Sequence, residues 1–262
     1  MPGDGSGGRR DALQLMGALS AQRIAFFLLI SRILQRKKGA ILKPLMVAFD
    51  VAGTTVSDGG VVIEAFSQAF QRTQPELWAQ KSEELMAYAL KTMGQSKIAV
   101  FTHLTGDAQQ AEIANVAFEQ AYLEEVELNG VSPIPGTEET FEFLRSEAIH
   151  IVLTTGFSRP TLDVILKALD WQSKISLSVT PAEAGRGRPF PDMLIKAAND
   201  LHVEDHANTM VVGDTVADIQ AGLAFGASRV IGVLTGAHTN QMFIEANATS
   251  VVNSVADLPS LI

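Results

Sequence analysis

The chain has no cysteine in 262 residues, which removes disulfides, thiolate metal sites and thiol nucleophiles together. Any covalent chemistry must therefore use oxygen or nitrogen. Positive charge is also in deficit, since 20 Lys and Arg against 29 Asp and Glu give a formal net charge of −9. A duplex binder needs a basic stripe to displace counterions, so a nucleic-acid partner is disfavoured. Long apolar runs are missing as well. The uninterrupted run Ile24 to Ile30 has seven residues, where a bilayer span takes about 20. A membrane is therefore not expected among the partners, and the chain reads as cytoplasmic, with targeting left open by its N-terminal extension. No internal repeat is visible, and low complexity is confined to Met1–Gly8. What remains is a chain 47% hydrophobic, enough for a substantial core.

Residues 1–42 are read as an extension. An apolar stretch from about Leu13 to Leu34 is interrupted by Gln14, Ser20, Gln22, Arg23 and Arg32. Arg9 and Arg10 resemble the start of a signal peptide, but no small-residue cleavage pattern follows, and Arg36, Lys37 and Lys38 close the stretch. Two readings lead, an amphipathic accessory helix and a start placed too early with Met46 as the alternative, ahead of a targeting or membrane-surface segment.

From Lys43 onward short apolar runs alternate with helical periods, the pattern of a parallel sheet covered by helices. Strands are expected at Leu45–Phe49, Ile149–Leu153, Leu177–Val179, Met210–Val212, Val230–Leu234 and Ser250–Val252. Helices are expected at Thr137–Ser146, Arg159–Leu169, Pro191–Leu201 and Val216–Phe225. Residues 61–131 break the alternation with four helical patterns in a row: Val61–Gln74, Glu76–Met93, Ser96–Leu104 and Asp107–Glu127. The fold class is thus α/β, a Rossmann-like parallel-sheet core (43–60 and 134–262) with an inserted α-helical cap (61–133). Gly59-Gly60 and Ser132–Gly136 are its expected hinges.

Asp50 ends the first strand and opens Asp50-Val51-Ala52-Gly53-Thr54-Thr55. That segment supplies a carboxylate for attack, with backbone N–H groups and hydroxyls to surround a phosphate, and a simple turn after a strand would explain the same residues. Gly213-Asp214-Thr215-Val216-Ala217-Asp218 places a second carboxylate pair after another apolar strand. In open α/β sheets ligands bind outside the carboxyl ends of the strands, so the two sets should converge. Oxygen-only donors suit Mg²⁺, with Asp214 as the ligand candidate and Asp218 orienting its neighbours. Arg188, fixed in a loop by Gly187 and Pro189, would offset charge on a phosphoryl group, with Arg186 a decoy for the role. Thr155 and Gly156 end the second strand and offer a hydroxyl and an N–H to phosphate oxygens. Arg159, three residues on, is either a substrate contact or a helix-start charge.

In this order and around a helical cap, these motifs resemble the haloacid dehalogenase-like superfamily, and within it the phosphonatase (phosphonoacetaldehyde hydrolase) branch. The resemblance covers about Lys43 to the C-terminus and implies a hydrolase acting through an aspartyl-phosphate on Asp50. It also implies Mg²⁺ held by Asp50, the Ala52 carbonyl and Asp214. Phosphatases of this superfamily carry a second aspartate where this chain has Ala52, and an alanine cannot protonate a leaving alkoxide. The phosphonatase branch has alanine there and uses a cap lysine that forms an imine with the substrate aldehyde. Met93-Gly94-Gln95-Ser96-Lys97 matches that cap motif, so Lys97 is the imine candidate. An anion contact and a solvated surface charge are the competing readings.

Two positions depart from the branch: Val100 stands where a histidine is expected, with His103 a turn further on, and Phe157 where a tyrosine is expected. Both changes remove proton-handling groups. The expected substrate is a small phosphonate of the phosphonoacetaldehyde type. A small phosphate ester of the phosphoglycolate type, with Lys97 as anion contact, is the alternative, and a silent binding protein of the same fold is the third reading. A homodimer is implied by resemblance only.

Overall fold

The computed structural model describes residues 43–262, so every reading of residues 1–42 lies outside the described residues. Six strands form one sheet: β1 (Met46–Asp50), β2 (His150–Thr154), β3 (Leu177–Val179), β4 (Thr209–Gly213), β5 (Arg229–Val233) and β6 (Ser250–Val252). Their order is β3-β2-β1-β4-β5-β6, and every pair is parallel. β1 is central, and all five of its residues are buried because helices cover both faces of the sheet. Alternate side chains serve the two sides. Val47 and Phe49 join one apolar cluster, while Met46 and Ala48 join the other.

The first face is covered by α5 (Thr137–Ser146) and α6 (Arg159–Ala168), through Phe141, Leu144, Leu162 and Ile165. The second is covered by α8 (Asp192–Asp200) and α9 (Val216–Phe225), through Met193, Leu194, Ala197 and Phe225. The chain builds outward from β1 to β3 and then returns to the other side of β1 to start β4. Such a reversal of strand order opens a crevice at the carboxyl ends of the two adjacent strands, which here are those of β1 and β4.

Four helices are inserted between β1 and α5: α1 (Val61–Thr73), α2 (Pro75–Lys91), α3 (Lys97–Thr105) and α4 (Ala108–Asn129). Phenylalanines hold them together, with Phe66 and Phe101 stacked at 4.7 Å and Phe70 5.5 Å from Phe101. Asp107 caps α4 by accepting from the Gln110 N–H, and Gly106 ends α3 in the left-handed conformation. The chain enters and leaves the insertion side by side, since Ser57 N–H donates to the Ser132 carbonyl and Ile134 N–H to that of Thr55.

The expected strands appear within one residue at each end, and four helices of the sheet layer and four of the insertion appear as expected. The sequence reading missed α7 (Pro181–Ala184) and α10 (Asn240–Glu245), along with 3₁₀ turns at His206–Asn208 and Val255–Leu261. These are too short for helical periodicity to register.

Candidate active site

Asp50 is the last residue of β1, and the chain turns sharply after it. The N–H groups of Thr54, Thr55 and Val56 all donate to the Val51 carbonyl, while Thr55 Oγ1 donates to that of Asp50. Gly53 sits in this turn at φ +87°, and a Cβ there would lie 2.6 Å from Asp214 Oδ2. Both the backbone and the neighbouring carboxylate therefore require glycine.

Asp214 follows β4 directly and is 2% exposed. Thr54 Oγ1 donates to its Oδ1 at 2.9 Å and Ala237 N–H to its Oδ2 at 2.9 Å. Asp218 lies one turn into α9, where its Oδ2 accepts from Thr215 N–H and Oγ1, so helix capping fixes its position. Arg188 Nη1 lies 2.5 Å from Asp50 Oδ1 and also contacts Asp218 Oδ1. One buried guanidinium thus holds the strand-end carboxylate of Asp50 and the helix-start carboxylate of Asp218 together.

Ligand oxygens of Asp50, Asp214 and Asp218 all lie within 4.8 Å of one another. An oxygen-only, buried donor set of this kind fits a hard divalent cation. Asp218, expected only to orient neighbours, thus adds a third carboxylate to the expected pair. Burial pushes the Asp50 carboxyl well above the ordinary carboxylate value; Arg188 opposes the shift, and Asp218 and Asp214 add to it. Asp214 is raised by burial and then by Asp218. Crowded carboxylates favour protons until a cation joins them.

A cleft of about 310 Å³ opens on this group and is lined by Asp50, Ala52, Gly53, Lys97, Thr155, Gly156, Arg188 and Asp214. Lys97, the first residue of α3, is 9% exposed, with Nζ 5.6 Å from the centre of the Phe118 ring. The solvated-surface reading of Lys97 fails on that burial. Its ammonium pKa is lowered by burial and then by Arg188, against the pull of Asp50 and Asp58.

Two expected phosphate contacts stand elsewhere. Thr54 does not line the cleft, and its hydroxyl donates to Asp214. Arg159, expected among the phosphate contacts, is clamped by Glu183 at 2.6 Å and by the hydroxyl and carbonyl of Ser178, and does not line the cleft. The decoy Arg186 pairs with Asp192 at 2.8 Å. His103 is exposed and stacked on Tyr88 at 4.3 Å, so it does not replace the histidine missing at Val100. Phe157 packs 4.4 Å from Tyr122 and lines the cleft with its ring. The sequence reading passed over Asp58, Thr215 and Thr235–Ala237, which line the same cleft. For Asp58 a signal existed, an Asx-type residue two positions before the helix-entry glycine Gly60.

The family profile of haloacid dehalogenase-like hydrolases matches residues 45–226, which contain every strand-end carboxylate described above. The chain belongs to this family. Among curated haloacid dehalogenase-like relatives, a phosphonoacetaldehyde hydrolase of Bacillus cereus is 33% identical over 207 residues, covering 72% of this chain and 75% of the relative. One of Bacteroides fragilis is 29% identical over 256 residues, covering 82% and 94%. A phosphonoacetaldehyde hydrolase-like protein of Oleispira antarctica shares the fold, with a TM-score of 0.70, 24% identity and coverage of 84% and 92%. The chain is a haloacid dehalogenase-like hydrolase of the phosphonatase-like branch.

Proposed function

We propose that this hydrolase is Mg²⁺-dependent and cleaves the carbon–phosphorus bond of a small phosphonate bearing an aldehyde, of the phosphonoacetaldehyde type. The observation that carries the reading is the pairing of Ala52 with a buried Lys97 in one cleft with Asp50. The cleft lacks a carboxylic acid at position 52 to protonate a leaving oxygen, and it presents an amine whose charged form is disfavoured.

Asp50, Asp214 and Asp218, with the Ala52 carbonyl, would hold Mg²⁺, which supplies charge neutralisation at the phosphoryl oxygens when bound. Thr155 and Gly156 receive the phosphoryl group at the end of β2, and Arg188 holds the Asp50 carboxylate in place. Lys97 in its neutral form adds to the substrate carbonyl and, with uptake of one proton, expels water to give an imine protonated on nitrogen. Asp50 then attacks phosphorus, and the electron pair of the breaking carbon–phosphorus bond passes into the imine to leave an enamine. Water hydrolyses the aspartyl-phosphate, and protonation and hydrolysis of the enamine return the lysine and release the aldehyde. The four inserted helices, which carry Lys97, act as a cap that excludes bulk water.

Borohydride reduction in the presence of phosphonoacetaldehyde tests the reading. Covalent attachment at Lys97 is expected, with phosphate release lost in Asp50→Asn and on removal of Mg²⁺. No trapping and no phosphate release from phosphonoacetaldehyde, with a small phosphate ester such as phosphoglycolate hydrolysed undiminished in Lys97→Arg, would transfer the lysine to the anion-contact role and the enzyme to small phosphate esters.

A further inference from the structure

Two cations line the cleft among the described residues, and they are differently engaged. Arg188 is paired through Nη1 with Asp50 and Asp218, while its buried Nε has no partner among the described residues. Lys97 has no carboxylate within ion-pair distance among the described residues, and its ammonium rests over the Phe118 ring. A second anionic group on a substrate would therefore be drawn to Lys97, unless another charge opposes it. Asp58 is that charge. It lines the same cleft, at the entry to α1, and its two oxygens accept from Gly60 N–H at 3.2 Å and Val62 N–H at 3.1 Å. Both bonds are to backbone, so the carboxylate is pinned and cannot swing away from an incoming anion. The two residues sense each other: Lys97 draws the Asp58 carboxyl down against a larger upward push from burial, and Asp58 helps keep the Lys97 ammonium charged.

We propose that Asp58 sets the charge preference of the cleft for the part of the substrate that meets Lys97. By offsetting Lys97 it makes the site take a phosphorus compound whose other end is an uncharged carbonyl in preference to one ending in a carboxylate. The inference rests on the reading that the cleft holds a small phosphonate or phosphate. It adds the device that keeps Lys97 from serving as a carboxylate site. Discrimination of this kind works by repulsion of the wrong ligand. Asp58 and Lys97 line one cleft and each acts on the charge of the other, so a single carboxylate is expected to matter about tenfold.

The test uses two non-hydrolysable probes of the same shape, phosphonoacetate and its neutral amide carbamoylmethylphosphonate, with dissociation constants measured by calorimetry in Mg²⁺ buffer. The wild type is expected to bind the amide at least as tightly as the carboxylate. Asp58→Asn, which keeps an acceptor oxygen for the helix start, is expected to shift the ratio about tenfold towards phosphonoacetate. Asp58→Ser, also competent at a helix start, should shift it the same way and serves where the asparagine variant fails to fold. A wild type that prefers phosphonoacetate tenfold, or a ratio unmoved in a folded variant, overturns the inference while leaving the proposed function standing. Failure of both probes to bind the wild type overturns both. Because the ratio needs no turnover, a shifted ratio with no borohydride trapping would sink the imine and keep the role of Asp58.

Discussion

At the scale of single residues, the arginines show how far sequence carries. Arg159, Arg186 and Arg188 all stand near strand ends or in loops, and local pattern favoured two of them as substrate ligands. The structure separates them by partners remote in sequence: Asp50 and Asp218 for Arg188, Glu183 and Ser178 for Arg159. Paired donors of Arg159 hold the Glu183 carboxyl at about 2, helped by the N–H and hydroxyl of Thr180 and opposed by burial. A carboxyl held below its unfolded value adds stability that is fully present above that value and lost as pH falls through the folded one. Thermal stability should thus decline between about pH 5 and pH 2, with Glu183→Gln flattening that part of the profile. Since Glu183 is 37% exposed, solvent screening reduces the effect to about 1 kcal/mol. A melting profile equally steep in the variant would remove the pair from the stability of the loop. Asp50, Asp214, Lys97 and Arg188 were legible because each sits at a strand end or in a short motif, whereas the two readings of Arg159 stayed open because its partner Glu183 lies 24 residues away.

Elements were easier to read than partners, since periodicity is local. β1 and β4 follow from apolar runs that end in Asp50 and Gly213, and α9 from the Thr215–Asp218 capping box that starts it. What periodicity does not encode is how the inserted helices meet the sheet. Ser158 N–H and Oγ–H donate to the two oxygens of Glu119 at 3.0 and 2.9 Å, so a carboxylate on α4 caps α6. That bond ties the insertion to the loop carrying Thr155 and Gly156. Glu119→Ala leaves a helix-start N–H without its acceptor, at a cost of about 1 kcal/mol. The expected readout is faster hydrogen exchange at the start of α6 with a KM raised severalfold, and recovery in Glu119→Gln, which keeps an acceptor. Unchanged exchange in the alanine variant would mean that Ser158 relies on water instead.

At the scale of the whole molecule, the seam between insertion and sheet is made of glycines. A Cβ at Gly94 would lie 2.1 Å from Thr215 Oγ1, at Gly156 2.9 Å from the Gln95 carbonyl oxygen, and at Gly187 2.9 Å from Ser96 Cβ. Gly94 is also held at φ +83°, so its replacement would confound strain with contact. Gly187 is cleaner, because its φ is ordinary and it does not line the cleft. Gly187→Ala should push the segment before α3 off the sheet and displace Lys97, the residue after Ser96, from Asp50. If the packed seam is the reactive arrangement, kcat/KM falls about tenfold, the consequence of an overpacked contact worth about 1–3 kcal/mol. The melting temperature should fall as well, because the same Cβ would lie 3.2 and 3.3 Å from Pro181 Cγ and Cβ in α7. Ser96→Gly removes the nearest opposing Cβ and leaves the milder contact with Pro181 at 3.2–3.3 Å; Ser96 makes no side-chain cap bond at the start of α3, so its loss alone costs only a few tenths of a kcal/mol. The double variant Gly187→Ala with Ser96→Gly should therefore recover most of the activity, a coupling that independent effects would not produce. A double variant no better than Gly187→Ala alone would show that chemistry proceeds with the insertion and the sheet further apart.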